Sequence, residues 1–69
     1  MYTPGTYTVT WETKSGEYHI SRVFETEPEA RAFGNHIWKD SDVKEVAINC
    51  RQFHHKRRNS VVIARAQRY

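Results

Sequence analysis

The side chains that could carry chemistry are concentrated in the last third of this chain. Residues 46–69 contain six Lys or Arg and no Asp or Glu, whereas residues 1–45 contain five Lys or Arg and eight Asp or Glu. The two segments carry formal charges of +6 and −3, which together give the net charge of +3. Charge segregated in this way attracts and steers anionic partners. The pattern predicts a basic binding surface.

The sharpest candidate within this segment is the run at residues 54–59, which we expect at a hairpin tip. It contains two His, one Lys and two Arg. Arginine binds phosphate in a bidentate manner and lysine supplies a point charge, but the same run is also typical of an ordinary solvated tip. Both interpretations stay open. The full set of candidate partner- or nucleic-acid-binding residues is Arg51, Phe53, His54, His55, Lys56, Arg57, Arg58, Arg65, Arg68 and Tyr69.

Catalytic and metal-binding motifs are not found in the sequence. It has no Gly-rich phosphate loop, nucleophile elbow or H-E-x-x-H motif. Cys50 precedes His54 by four positions, but no second cysteine supplies the paired ligands of a structural zinc site. We therefore expect Cys50 to be a small core residue, and we expect a non-catalytic protein without metal or cofactor.

The length of 69 residues indicates one domain that spans residues 1–69. A chain of this size buries only about 60% of its unfolded surface, which leaves little room for an enclosed cleft. No apolar run reaches the roughly 18–20 residues that span a bilayer, and the first residues lack the pattern of a signal peptide. With a single cysteine as well, the sequence predicts a cytoplasmic protein that does not enter membranes.

The elements that must position the basic residues follow from periodicity. Alternation around Val9 predicts a strand, a polar turn follows at residues 13–17, and a second strand begins at Tyr18. Thr26 and Glu29 form a capping box, which predicts a helix that runs to about Lys39. The residues expected on the covered side of these elements are Tyr7, Val9, Trp11, Tyr18, Ile20, Phe24, Ala30, Phe33, Ile37 and Trp38.

Two further strands are predicted at residues 43–53 and 60–69. Val46, Ile48 and Cys50 lie on one side of the first of them. Gly34 lies on the apolar face of the helix, where glycine costs about 1 kcal/mol relative to alanine, so we expect a close approach to the sheet there. The predicted fold is an α+β ββαββ domain, a four-stranded antiparallel sheet in order 2-1-3-4 with one helix packed on one face.

The face that the helix leaves uncovered is a second candidate surface, because antiparallel sheets often keep one face in water. It can bind a ligand, remain solvated or mediate a homodimer that hides Val61, Ile63 and Phe53. A slip of one residue in register would exchange its residues with those of the other face. The residues predicted on it are Thr8, Thr10, His19, Ser21, Ala47, Asn49, Arg51, Phe53, Arg65, Gln67 and Tyr69.

The segment at residues 22–30, together with Phe33, combines the strand end R-x-F-x-T with the helix start x-x-E-A. It resembles the sheet-plus-helix DNA-binding domain at the N-terminus of tyrosine recombinases of phages and mobile elements. The chain is also similar to small ββαββ accessory proteins of phages, including inhibitors of host defence. The resemblance covers about residues 7–38. The recombinase domain has three strands before its helix whereas two are visible here, so no residue role is carried over.

Two hypotheses follow for the function. In the first, the chain is an accessory or inhibitor protein that binds a larger host or defence complex that handles nucleic acid. Its basic patch meets an acidic surface, with Val61, Ile63, Phe53 and Trp38 as apolar anchors. In the second, the same patch binds nucleic acid directly, with weak sequence preference and strong salt dependence.

Overall fold

The computed structural model describes residues 3–54 and 57–68, with the main chain alone described at residues 3, 4, 52–54 and 57–60. Its elements are β1 (Thr3–Thr13), β2 (Tyr18–Ile20), α1 (Glu27–Trp38), β3 (Val43–His54) and β4 (Arg57–Gln67). The strands form one antiparallel sheet in the order β2-β1-β3-β4. The predicted ββαββ fold and its strand order are confirmed.

The helix begins where the capping box predicts. The Thr26 hydroxyl accepts from the backbone N–H of Glu29 at 3.4 Å and donates to the Glu29 carboxylate at 2.8 Å. Pro28 occupies the first turn, where its missing N–H has no intrahelical partner to lose. Glu27 and Arg31 add an i,i+4 ion pair at 2.6 Å. Local sequence therefore fixes the position of the helix start.

The core lies between α1 and the middle of β1 and β3. Its buried members are Val9, Phe24, Ala30, Val43, Val46 and Ile48. Gly34 allows the close approach that the sequence predicts, since a β-carbon there would lie 3.3 Å from Ile48 Cδ1. The partly buried Phe33, Ile37 and Trp38 complete the packed face of the helix. The predicted inward sides of α1, β1 and β3 are confirmed.

The helix is shorter than the strands beneath it, and this difference shapes the molecule. Twelve helical residues span about 18 Å, whereas the twelve residues of β3 span about 40 Å. The molecule measures 40 × 20 × 18 Å, so its long axis matches the length of β3. The last buried core residue contributed by β3 to the main cluster is Ile48. The β3–β4 hairpin therefore extends beyond the helix.

The predicted register of β2 is wrong by one residue, so the wrong side of the strand was expected to face the core. Tyr18 and Ile20 were expected to point inward, but both are exposed, and His19 instead stacks on Trp11 at 5.4 Å between ring centroids. The pairing of Glu12 with Tyr18 leaves five residues in the turn, where Gly16 adopts a φ of 95°. A turn of four residues would have placed Tyr18 opposite Thr13 and turned it toward the core.

Two predictions for the last hairpin are also corrected. The expected connection at residues 54–59 is mostly strand, because β3 continues to His54 and β4 begins at Arg57. Ile63 packs against the core rather than beside the open face. The cause is a register shift in which Ile48 pairs with Ala64 while Asn49 pairs with Val62. Ile63 is the extra residue of this bulge, and it changes which side chains face the helix.

Candidate binding surface

The sheet face opposite the helix carries cross-strand rows of polar and small side chains. Thr10 pairs with Ile20 on one side and Ala47 on the other, and Ala47 pairs with Arg65. Asn49 lies in the neighbouring row and donates to the Thr10 hydroxyl at 3.2 Å. The positions that alternate with the core residues and so share this open face are Thr8, Thr10, Glu12, Tyr18, Ile20, Glu45, Ala47, Asn49, Arg51, Val62, Arg65 and Gln67.

Three apolar side chains on this face were missed by sequence reasoning, which expected Val61 there although Val61 lies opposite Cys50 on the core-facing side. Tyr18 is 68% exposed and Ile20 is 64% exposed. Val62 is a third exposed apolar residue, and it lies across Asn49 in the pairing of β3 with β4. The turn length that sets the register of β2 is the signal that could have revealed Tyr18 and Ile20. The open face therefore combines apolar, hydroxyl and basic groups.

Charge is graded along the open face. At the end near the helix C-terminus, Glu12 pairs with Lys44 at 3.5 Å, and the Glu45 carboxylate accepts from the Gln67 side chain. Toward the hairpin the ionic side chains are basic. Ala47, which is opposite Arg65, lies four residues before Arg51 on β3, so the two arginine rows are about 13 Å apart. Both arginines are exposed, and neither has an ion pair among the described residues.

The basic hairpin, which we define as residues 51–54 and 57–58, continues this surface beyond the helix. Its main-chain register brings Phe53 opposite Arg58 and His54 opposite Arg57. These four candidate residues therefore meet at one end of the sheet. His55, Lys56 and Tyr69, which were also predicted to contribute, lie outside the described residues.

Arg68 is a correction to the predicted basic patch, because its guanidinium group is used inside the domain. Nη1 donates to the carbonyl oxygens of Asp40 at 2.9 Å and Val43 at 2.7 Å, and Nη2 donates to that of Trp38 at 2.6 Å. The guanidinium carbon also lies 4.0 Å from the centroid of a Trp38 ring. Arg68 thus ties β4 to the C-terminal end of α1, where carbonyls lack helical partners. The same contact covers Trp38, which was predicted to be a free apolar anchor.

Cys50 is buried, on the side of β3 that faces the core, opposite Tyr7 and Val61. Among the described side chains, those of residues 5–51 and 61–68, no three His, Cys, Asp or Glu residues converge. In the same part of the chain, no helix has the length and apolar character needed to cross a membrane.

Comparison with protein-family models, with curated proteins and with solved structures finds no match to this chain. The similarity to the recombinase domain and to small phage proteins therefore stays a prediction. The arguments for function depend on the surface itself.

Proposed function

We propose that this chain is a non-catalytic nucleic-acid-binding protein that contacts the phosphate backbone through its basic hairpin and the adjoining arginines of the open face. The observation that carries the proposal is the position of the acid-free hairpin, which extends past the helix at one end of an elongated domain. A projecting strand pair can approach a duplex without a clash from the helix, since the major groove admits a two-stranded β-ribbon.

The number of phosphate contacts can be bounded from the structure. With Arg68 engaged internally, five of the six basic residues in residues 46–69 remain for the ligand: Arg51, Lys56, Arg57, Arg58 and Arg65. Each neutralised phosphate contributes about −0.9 to the slope of log K against log salt, so the expected slope on duplex DNA is about −4.5. That slope corresponds to a loss of roughly 500-fold in affinity between 50 and 200 mM salt.

The test is a salt titration of binding to a labelled duplex, by fluorescence anisotropy, with two double variants. Arg57→Gln with Arg58→Gln removes two charges from the hairpin, and Lys14→Gln with Lys39→Gln removes two exposed charges elsewhere. The hairpin variant is expected to lose about 2 from the slope, and the matched control to keep the parental slope. Equal losses would mean that net charge alone drives binding. An absence of binding near 50 mM salt would contradict the proposal.

A second candidate function is favoured by Tyr18, Ile20 and Val62, which phosphate contacts do not use. In it, the chain is an accessory or inhibitor protein of the kind that phages encode, and it binds a nucleic-acid-handling protein through the same basic surface. Aromatic residues and arginine are enriched at protein interfaces. This function is favoured if oligonucleotides fail to bind while capture of a partner survives nuclease treatment and is lost with Arg57→Glu plus Arg58→Glu.

A further inference from the structure

The helix leaves one strip of the sheet uncovered on its own side. α1 packs on β3 and β1, and β4 lies at the edge of that contact. A groove of about 160 Å³ opens there between the helix and β4. It exists because the facing positions are small, with glycine on the helix and alanines on the strand. Its lining combines the polar residues Arg31, Asn35 and Arg65 with small and apolar ones, which are Gly34, Trp38, Val46, Ile48, Ala64 and Ala66.

The main chain of β4 beside this groove is oriented for pairing with another strand. Arg68 N donates to the Lys44 carbonyl at 2.7 Å, which sets the phase of the β3–β4 ladder. Because hydrogen-bonded pairs alternate in an antiparallel ladder, Ala64 and Ala66 bond toward β3. The N–H and C=O groups of Arg65 between them therefore point away from the sheet. An edge strand with outward main-chain groups is a template for strand addition.

We propose that the groove and the β4 edge together form a docking site for an extended acidic segment of a partner protein, added as a fifth strand. The partner residue opposite Arg65 would place its side chain on the open face beside the guanidinium, so we expect that partner residue to be acidic. Its two neighbours would point into the groove, so they are apolar. The groove volume matches a cavity of about 150 Å³ that holds a benzene molecule, so one of the two can be aromatic.

Charge selects this occupant over a second copy of the chain. β4 lies within the segment that contains six basic residues and no acid, so pairing of β4 with its own copy sets basic residues against basic residues. Like charges directly opposite each other destabilise a strand pair. An acidic strand instead gains an ion pair with Arg65, which has no such partner among the described residues. Nucleic acid has no main-chain ladder to match this edge.

The test is a titration of the full-length, isotope-labelled chain with the peptide acetyl-Glu-Phe-Glu-Val-Glu-amide, followed by two-dimensional amide NMR. The expected result is saturable shifts at the amides of residues 63–67 and at the Trp38 indole. Peptides with Lys in place of Glu, or with a methylated central nitrogen, are expected not to bind, because the first repels Arg65 and the second lacks the strand-pairing donor.

Three variants make the result specific. Ala66→Leu fills the groove and is expected to weaken binding by at least about tenfold, since misfit of a methylene or more in an apolar pocket costs that much. Ala32→Leu makes the same substitution at an exposed helix position outside the groove and is expected to bind normally. Arg65→Glu is expected to reverse the preference toward the Lys peptide.

Several outcomes would overturn the proposal. They are equal binding of the Glu and Lys peptides and shifts centred on the basic hairpin. Shifts at residues 63–67 that depend on protein concentration without peptide would assign the edge to a second copy. Residues 57 and 58 take no part in this site, so its failure and the failure of nucleic-acid binding are distinguishable.

Discussion

Arg68 should be far more important for stability than any other basic residue near the C-terminus. Its guanidinium makes three charge-assisted hydrogen bonds, two of them part-buried, and stacks on Trp38. A hydrogen bond to a charged group contributes a net 1.5–3 kcal/mol or so, and water replaces part of this at an accessible site. We therefore expect Arg68→Ala to lower the free energy of unfolding by about 2–4 kcal/mol. In a domain this small, that shifts Tm by roughly 10–25 °C.

Thermal unfolding followed by circular dichroism measures this directly, with Arg65→Ala as the matched control on the same strand. Arg65 is exposed, so its variant should stay within about 0.5 kcal/mol of the parent. Arg68→Lys keeps the charge but loses the planar fork, and it should lie much closer to Arg68→Ala than to the parent. A change in Tm below about 2 °C for Arg68→Ala would refute the reasoning. The reasoning would also be refuted if Arg68→Ala, measured below its Tm, reduced the salt slope of DNA binding as much as Arg65→Ala does.

Three further predictions test the fold. Thr26→Ala should cost about 1 kcal/mol in chemical denaturation, because the helix loses its N-cap, and an unchanged midpoint would contradict the capping role. Gly34→Ala should leave the free energy of unfolding nearly unchanged, because a gain of about 1 kcal/mol in helix propensity offsets the tight 3.3 Å contact with Ile48. Gly34→Val should lower it by more than about 2 kcal/mol. Ile20→Ser should change the free energy of unfolding by less than about 0.5 kcal/mol, because Ile20 is exposed. A large loss would instead indicate that Ile20 points inward.

The parts of the fold that were predictable depend on short-range patterns. Alternation places Val9, Val46 and Ile48 on the covered face, and the capping box sets the helix start, because each pattern involves residues a few positions apart. The small residue in the helix likewise predicts its contact with the sheet. Patterns of this range fix which side of an element is apolar. They do not fix how one strand aligns with the next when turn geometry decides it.

The sequence by itself determined the element order, the sheet topology and the acid-free, basic character of residues 46–69. Only the tertiary structure decided which side chains that surface presents. The five-residue turn exposed Tyr18 and Ile20, and the bulge at Ile63 turned that side chain toward the core. Arg68 is held by carbonyl groups 25–30 positions earlier in the chain, so no short-range pattern predicts that its guanidinium is engaged inside the domain. The sequence gives the number of basic residues, but tertiary contacts determine which of them are accessible to a ligand.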